Sequence, residues 1–577
     1  MINTALAAVF ARIADLLEID GADRFRINSY RRASRTLLDT AEDVATLAAE
    51  GALTTLPGIG KGTADRIQQY LDTGRIAVLD ELEAKLPKGL PQLLAIPGMG
   101  PKKVALVYDR LDVKSINDLK RAIESGKLAE LPGLGPASVE KIAEGIAFLE
   151  RSAGRTPLGV AEPLATQFAQ KLAAVRGVKR VEVAGSLRRG AETIGDIDIL
   201  CDAANREEVV KQFTEFDGVQ RILAKGATKG SITVALEGGR ELQIDLRVVP
   251  RESFGAALQY FTGSKEHNVR LREIAVRRKL RLNEYGLFDA DTMVAGRREA
   301  DVYDKLGLPL IPPELREDRG EFESGAFGKE LLKSDDIRGD LHMHTVASDG
   351  TCTIEELAEG AKARGYDYIG ICDHSRSATI ANGLSIQRME KHIRSIRAAN
   401  KAIPGITVLV GCEVDILPNG ALDYPGELLA QCDVVVASIH SAMGRGGSGK
   451  LSPTERTIAA CENPYVTIIG HPTGRLIHKR EPMDIDMTAV IEAAKRTRTI
   501  LEVNAHWQRL DLKDLHVRQA VSAGVAIAVN TDAHRVEGLD QIRYGVLTAR
   551  RGGATKKDVV NSMGIGALRR RLAAKRK

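Results

Sequence analysis

Apolar residues follow two rhythms along this chain. Up to about residue 150 they recur at three- and four-residue spacing, as in Thr4–Ile19 (TALAAVFARIADLLEI), where Arg12 and Asp15 sit at helical spacing on the polar side. Amphipathic helices are predicted there, with almost no strand. Near residue 155 the pattern turns to short apolar or alternating runs at 178–185, 196–202, 231–237 and 242–250, separated by helical stretches, which predicts a mixed α/β region. Residues 251–310 return to helix with short strands, and 310–336, rich in proline, glycine and charge, read as a linker. Beyond 337, further β-like runs at 371–374, 408–415, 434–440, 467–471 and 526–534 alternate with helical patterns. The basic stretch from 546 onward is helical, and its pattern leaves open whether it completes that domain. The predicted organisation is two helical regions (1–85 and 86–152), an α/β region (153–250), a smaller helix-rich region (251–312), a linker (313–336) and a second α/β domain (337–577).

The later β-like runs end in acids or imidazoles. In order these are His342, His344, Asp349, His374, Glu413, His440, His471, Asp532 and His534. Apolar runs that terminate in metal-ligand residues place the ligands at one end of a sheet, the end at which (β/α) barrels build active sites. Asp349 or Asp373 alone would read as a cap or turn residue. His392, His478, His506 and His516 lie between the runs and keep the ordinary reading of hydrogen-bonded histidines. A structural role would have to recur independently at every strand end to explain the rest. Mixed imidazole and carboxylate donors suit zinc, manganese or iron, and so many exceed one four-coordinate ion, so several ions are implied.

Two further patterns carry chemistry. Leu56-Pro-Gly-Ile-Gly-Lys-Gly, Ile96-Pro-Gly-Met-Gly-Pro-Lys and Leu131-Pro-Gly-Leu-Gly-Pro-Ala repeat between helix-like stretches. Their glycines permit a tight turn, and the amides that follow can face a phosphate at a helix start. One copy could be a plain inter-helix turn; three favour binding to a nucleic-acid backbone. In the α/β region, Gly185-Ser186-Leu-Arg188-Arg189 precedes Asp196 and Asp198, two apart on a strand and so on one face, with Asp245 on another strand. Converging carboxylates repel unless divalent cations lie among them, and oxygen donors beside phosphate suit magnesium. The glycine-serine turn and its arginines offer amides, a hydroxyl and guanidinium forks to phosphates. Gly444–Leu451 nearly spells a nucleotide-binding P-loop, but Leu451 replaces the magnesium-binding hydroxyl, so it reads as a mobile loop at the barrel mouth.

Composition adjusts this picture only slightly. With 577 residues, 44% of them hydrophobic and 28% charged, the chain can hold three or more ordinary globular cores. A net charge of +5 hints at a polyanionic partner. Six cysteines form no C-x-x-C pair and five fall in the last domain, so reduced, buried thiols and a cytoplasmic setting are expected. The N-terminus reads as a helix rather than a signal peptide, and no apolar stretch reaches membrane-spanning length.

The strand-end ligands, over about 337–545, resemble those of the PHP (polymerase and histidinol phosphatase) phosphoesterases. The resemblance implies a distorted barrel of about seven β/α units and three ions. His342, His344, Glu413 and Asp532 would hold one ion; Glu413, His440 and His471 a second; Asp349, His374 and His534 a third. The glycine-serine turn and its acids, extended by Tyr260-Phe-Thr-Gly-Ser264, Asn268, Arg272 and Leu282-Asn-Glu-Tyr285 and reaching back to Asn28-Ser-Tyr30-Arg-Arg, resemble X-family DNA polymerases. That resemblance implies that Asp196 and Asp198 bind both metals, while Asp245 binds the catalytic one and draws the proton from the primer 3′-hydroxyl. Gly185, Ser186, Arg189 and Gly195 would hold the triphosphate, joined by Arg155, which is matched only by spacing. Tyr260, Phe261 and Asn268 would line the sugar and base pocket, and Arg272 would reach the templating strand. The repeated segments resemble helix-hairpin-helix motifs, with Gly58, Gly60, Gly98, Gly100, Gly133 and Gly135 at the DNA backbone. Arg26, Tyr30 and Arg66 would meet a 5′-phosphate at a DNA end. Arg66 stands where animal repair members carry a Schiff-base lysine. A guanidinium is a poor amine nucleophile, so efficient lyase chemistry by that route is not expected, although Lys61 lies nearby.

Together the features resemble the bacterial and archaeal family X polymerases with a C-terminal PHP domain. The implied fold class is multidomain α+β and α/β: a helix-hairpin-helix N-terminal region, a nucleotidyltransferase palm with a small thumb-like domain, and a distorted (β/α)7 barrel. The implied enzyme fills short gaps in DNA repair and adds 3′–5′ exonuclease, abasic-site (AP) endonuclease and 3′-phosphodiesterase activity. It would use Mg2+ or Mn2+ at the palm and three Mn2+ or Zn2+ ions in the barrel. Its partners would be gapped or 3′-blocked duplex DNA and deoxynucleoside triphosphates, and it would be a cytoplasmic, nucleoid-associated monomer. Two rivals stand beside this reading. In one the barrel is a small-molecule phosphatase; in the other the palm has decayed to a DNA-end scaffold, against which the intact acids argue.

Overall fold

A computed structural model describes residues 2–40, 44–56, 58–87, 89–96, 98–152, 154–323, 330–444 and 451–576. Most of the segment read as a loop at the barrel mouth, 445–450, lies outside the described residues. The chain divides into two compact units, one of residues 1–153 with 478–480 and one of the remainder. Among the described residues no helix is long and apolar enough to cross a membrane.

The first unit is helical, as its periodicity predicts. Ile2–Ile19 and Arg24–Asp39 pack together, and the Asp23 side chain caps the second helix by accepting from the amides of Phe25 and Arg26. The three repeated segments fold alike. Gly58, Gly98 and Gly133 hold φ of +79°, +88° and +79°, a left-handed conformation that disfavours any side chain. Gly60, Gly100 and Gly135 then start the helices Lys61–Thr73, Pro101–Leu111 and Pro136–Ser152, and no atom lies within 4 Å of where their Cβ atoms would be. Ile59, Met99 and Leu134 each point into the core between the paired glycines, which anchors the turn and leaves the glycine backbone outward.

The second unit joins three folded parts. Its palm is a five-stranded sheet in the order Val178–Val183, Asp196–Ala203, Glu241–Val249, Lys229–Ala235, Val219–Lys225. The strands carrying the acids run parallel, and their register sets Asp198 beside Asp245. Val219–Lys225 has no counterpart among the predicted strands, because this edge strand is almost wholly exposed and so lacks the alternation that marks burial. The thumb follows: helices Phe254–Thr262, Lys265–Arg277 and Glu299–Lys305 around a three-stranded antiparallel sheet. The start of the stretch read as a linker is folded against it. Arg316 is fully buried, paired with Glu299 and donating to the carbonyl of Ile311, and Glu321 meets the buried His267. Its prolines and charges thus serve a buried ion-pair network rather than a free tether.

The barrel has seven parallel strands in chain order. The first and last meet through a bridge between Met343 and Ala533. Inside, Leu341, Leu409, Val434, Val436, Ile468, Ile500 and Ala528 pack together, and Leu568 and Leu572 of the helix Ile565–Ala573 join them. The basic C-terminal stretch therefore belongs to the barrel. Palm and barrel share one core: Ile477, Leu510 and Tyr544 pack with palm residues such as Leu158 and Phe168. At Gly159 an added Cβ would lie 2.3 Å from Trp507, so only glycine admits that approach. All six cysteines are free thiols and five are buried.

Candidate active sites

The barrel strands deliver their terminal side chains to one place. His342 lies on Gly339–Met343 with His344 just beyond, Glu413 is on Thr407–Asp415, and His374, His440, His471, Asp532 and His534 follow the ends of their strands. Three overlapping groups form, each with ligand atoms within 4.8 Å of one another: His342, His344 and Asp532; His344, Asp349, His374 and His534; and His374, Glu413 and His440. His471 adds to the third, its Nε2 standing 3.0 Å from Glu413 Oε1. His344 and His374 thus stand between groups, and Glu413 Oε2 also lies 3.5 Å from His342 Nε2 and 3.7 Å from His344 Nε2. His471 and Asp532 hold φ of 24° and 54°, a costly conformation for residues with side chains.

The donor set fits bound cations. His342 Nε2, both ring nitrogens of His344, His374 Nδ1, His471 Nδ1 and Glu413 Oε1 are buried without a hydrogen bond of good geometry, although His374 Nδ1 and His471 Nε2 stand 2.9 and 3.0 Å from oxygens of Glu413. Imidazoles and carboxylates packed this closely, with buried donor atoms that lack well-formed hydrogen bonds, suit metal coordination. The electrostatics agree. Burial pushes Glu413 up, yet His440, His374 and His342 outweigh it and hold the carboxyl well below its ordinary range. His344, in contrast, is pushed down to about 4 by burial and by the neighbouring His534 and His374.

Two carboxylates behind the ligands, Glu502 and Asp415, escaped the sequence reading. Glu502 Oε1 lies 2.8 Å from His342 Nδ1, and Asp415 Oδ1 lies 2.6 Å from His440 Nδ1. Asp373 meets His392 Nε2 at 2.7 Å and accepts from Thr345 and Ser348. Carboxylates of this kind fix the tautomer and aim of a ligating imidazole. Glu502 sits inside an apolar strand (ILEVN) and Asp415 ends another (GCEVD), and a lone acid in such an apolar run was the available signal.

The palm site is more open. Asp198 is pushed up to about 7 by burial first and then by Asp196 and Asp245, which is the repulsion that divalent cations relieve. Asp245 accepts from Ser231 at 2.6 Å and from Gln243 at 2.9 Å and sits 3.3 Å from Lys229 Nζ. Gly185 has φ +64°, and a Cβ there would lie 2.4 Å from Asp198 Oδ2, so the glycine lets the turn close over the acid. A cavity of about 540 Å³ opens here. It brings together Asp196 and Asp198 with Arg155, Gly185, Ser186, Arg189 and Gly195. Tyr260, Phe261, Asn268 and Arg272 form its other wall. Asn268 is set by two bonds, accepting from Gln259 and donating to the carbonyl of Tyr260. Of the two arginines of the turn only Arg189 lines this cavity; Arg188 is engaged by Glu299 at 2.6 Å and by Thr262.

In the helical unit, the Arg66 guanidinium sits 5.6 Å from the centre of the Tyr30 ring. Burial raises the Tyr30 phenol, while Arg66 and Arg26 draw it down, so the three residues share one patch.

Comparison with known proteins accounts for most of the chain. Residues 1–76 match the family described as helix-hairpin-helix domain, 90–147 the SAM-like helix-hairpin-helix tandem, 155–250 the DNA polymerase beta palm, 257–317 the DNA polymerase beta thumb, and 340–506 the PHP domain. A protein of Bacillus subtilis (strain 168) named DNA polymerase/3′-5′ exonuclease PolX is 38% identical over 555 residues, covering 96% of each chain. DNA polymerase lambda of Arabidopsis thaliana is 27% identical over 346 residues, 55% of this chain and 62% of its own. A protein of Thermoanaerobacter sp. (strain X514) named "Probable phosphatase" is 30% identical over 246 residues, 41% of this chain and 95% of its own.

Proposed function

The chain belongs to the family of PolX-type DNA polymerase/3′-5′ exonucleases, and from that premise we propose that it fills short gaps in damaged DNA and cleans 3′ ends. The observation that carries the proposal is the pairing, within one folded unit, of a palm cavity walled by Asp196, Asp198 and Arg189 with a buried cluster of imidazoles and carboxylates around Glu413. In the palm, Asp196 and Asp198 would hold two Mg2+ or Mn2+ ions. Asp245 would join them and receive the proton of the primer 3′-hydroxyl. Ser186, Arg189 and Arg155 would orient the triphosphate; Tyr260, Phe261 and Asn268 would frame sugar and base, with Arg272 on the template. In the barrel, His342, His344, Asp349, His374, Glu413, His440, His471, Asp532 and His534 would hold up to three Mn2+ or Zn2+ ions. Such ions, when bound, supply an acidified water and neutralise charge on a phosphodiester. Glu502 and Asp415 would keep His342 and His440 aimed.

The same barrel chemistry extends to cutting beside abasic sites and to removing blocked 3′ ends, since each is hydrolysis of a phosphodiester near a 3′ terminus. Arg26, Tyr30 and Arg66 would receive a 5′-phosphate, and the hairpin glycines 58, 60, 98, 100, 133 and 135 would pass along the DNA backbone without reading sequence. Binding should therefore weaken steeply with salt and vary little with sequence.

The test is a 3′-labelled gapped duplex, incubated with and without nucleotides, beside duplexes carrying an abasic site or a 3′-phosphoglycolate. Extension with nucleotides and shortening without them are expected, together with cleavage of both modified substrates. The likeness of the barrel to a probable phosphatase favours a second reading, hydrolysis of small phosphomonoesters. Turnover of such esters with no action on any DNA 3′ end would establish it instead.

A further inference from the structure

The arginine expected to meet the nucleotide's phosphates is already held by a carboxylate, and that carboxylate is shared with the barrel. Arg189 donates through Nε to Glu317 Oε1 at 3.0 Å. The same oxygen stands 2.9 Å from Arg551 Nη1. Arg551 closes the helix Ile542–Arg551 of the barrel, and its Nη1 also donates to the backbone carbonyl of Arg189 at 2.7 Å. It is fixed from the far side by Asp514, whose Oδ2 lies 2.9 Å from Arg551 Nη2 and 2.9 Å from Arg319 Nη1. Charges alternate along the row Arg189, Glu317, Arg551, Asp514, Arg319. It borders a second cavity of about 290 Å³, continuous in its lining with the nucleotide cavity through Arg155, Ser186, Arg189 and Glu317.

The arrangement has a consequence for binding. Glu317 holds Arg189 Nε and offsets its charge, and the carbonyl of Thr262 accepts from its Nη1 at 2.7 Å, so the Nε edge and the full charge of Arg189 reach a triphosphate only as Glu317 lets go. A half-buried carboxylate left beside incoming phosphates without a cation would oppose them strongly. Arg551 is that cation. It already sits on the oxygen Arg189 would release, and Asp514 and the Arg189 carbonyl keep it there, so no charge is stranded when the exchange occurs. We propose that Arg551, a barrel residue, is a positioning residue for nucleotide addition: it retains Glu317 so that Arg189 can pass to the phosphates of the incoming nucleotide. The barrel thereby contributes to polymerisation without touching the reacting atoms. This rests on the proposed nucleotide site.

The test is steady-state gap filling by the full chain, with KM for the nucleotide read separately from kcat. Arg551→Gln should raise KM about ten-fold, the size expected for one charged hydrogen bond, with a smaller change in kcat. Arg551→Lys, which keeps a cation at Glu317, should restore most of it. Glu317→Gln removes the competing charge, so the double variant Glu317→Gln/Arg551→Gln should show no KM increase over Glu317→Gln alone. Exonuclease turnover, measured below the thermal midpoint of each variant, reports folding and should stay near the parent's in all three single variants. A KM increase of Arg551→Gln that persists in the Glu317→Gln background would overturn the inference, as would equal loss of both activities in Arg551→Gln and Arg551→Lys. Arg189→Ala separates the two layers of the argument. If it raises KM while Arg551→Gln does not, only the positioning role falls; if it leaves KM unchanged, the nucleotide site itself falls.

Discussion

The palm and the barrel both gather acidic side chains, yet they solve opposite problems. In the palm every donor is an oxygen, Asp196 is exposed, and Asp198 is pushed up to about 7 because burial and two like charges oppose its ionisation. In the barrel imidazoles outnumber carboxylates, most donors are buried, and Glu413 is held well below its ordinary range by the histidines around it. Within each barrel group the ligand atoms fall within 4.8 Å of one another; among the described residues the palm acids form no such tight group. The difference teaches what each site is built to hold. An open oxygen site suits hydrated ions that arrive with the nucleotide, whereas a buried, imidazole-rich site suits resident ions of softer character.

The largest expected effects separate the two regions outright. Asp196→Ala or Asp198→Ala should abolish nucleotide addition and spare 3′–5′ degradation, while His344→Ala or Glu413→Ala should do the reverse. Primer extension and shortening on one labelled duplex measure both. Loss of both activities in a folded variant of either kind would merge what the structure keeps apart. Dialysis against EDTA sharpens the contrast. Brief treatment followed by added Mg2+ should restore extension at once, and exonuclease should decay more slowly during the treatment because its ions are enclosed. Equal rates of loss would count against resident barrel ions.

A smaller effect is expected one layer out. Glu502→Gln leaves every metal donor in place but weakens the bond that aims His342, so exonuclease or metal affinity should fall by about 10–100-fold with extension unchanged. No change would reduce Glu502 to packing. The smallest effect concerns pH at a residue outside both sites. His516 is pushed down to about 4 by burial first, with Lys513 and Arg475 adding to it. It stays neutral on folding, while the unfolded chain takes up the proton near pH 6.5. Its contribution to stability is thus complete above about pH 6.5 and is lost as pH falls toward 4. Between those limits the thermal midpoint of His516→Gln should fall less than the parent's; parallel curves would remove His516 from the account.

How far each region could be read in sequence follows from the same contrast. The barrel ligands stand at the ends of apolar runs, and the palm acids share a face because a strand repeats every two residues, so the structure gathers each set where the pattern places it. The hairpins were legible because Gly58, Gly98 and Gly133 supply a conformation other residues avoid. Local pattern could not show Arg316 buried in a charge-rich stretch, since its partner Glu299 lies 17 residues away. Nor could it show Glu502 behind His342, a pairing across 160 residues. The strand Val219–Lys225 escaped for a different reason: an exposed edge leaves no alternation to read.

Metal content bears most directly on the claim that one chain carries two chemically distinct sites. The purified full-length protein, dialysed without chelator, would be analysed beside Asp196→Ala/Asp198→Ala and His344→Ala/Glu413→Ala. Two or more manganese or zinc ions per chain are expected in the parent and in the palm variant, with most of them lost from the barrel variant. A single ion per chain in the parent, or a barrel variant that keeps its metal, would contradict the account.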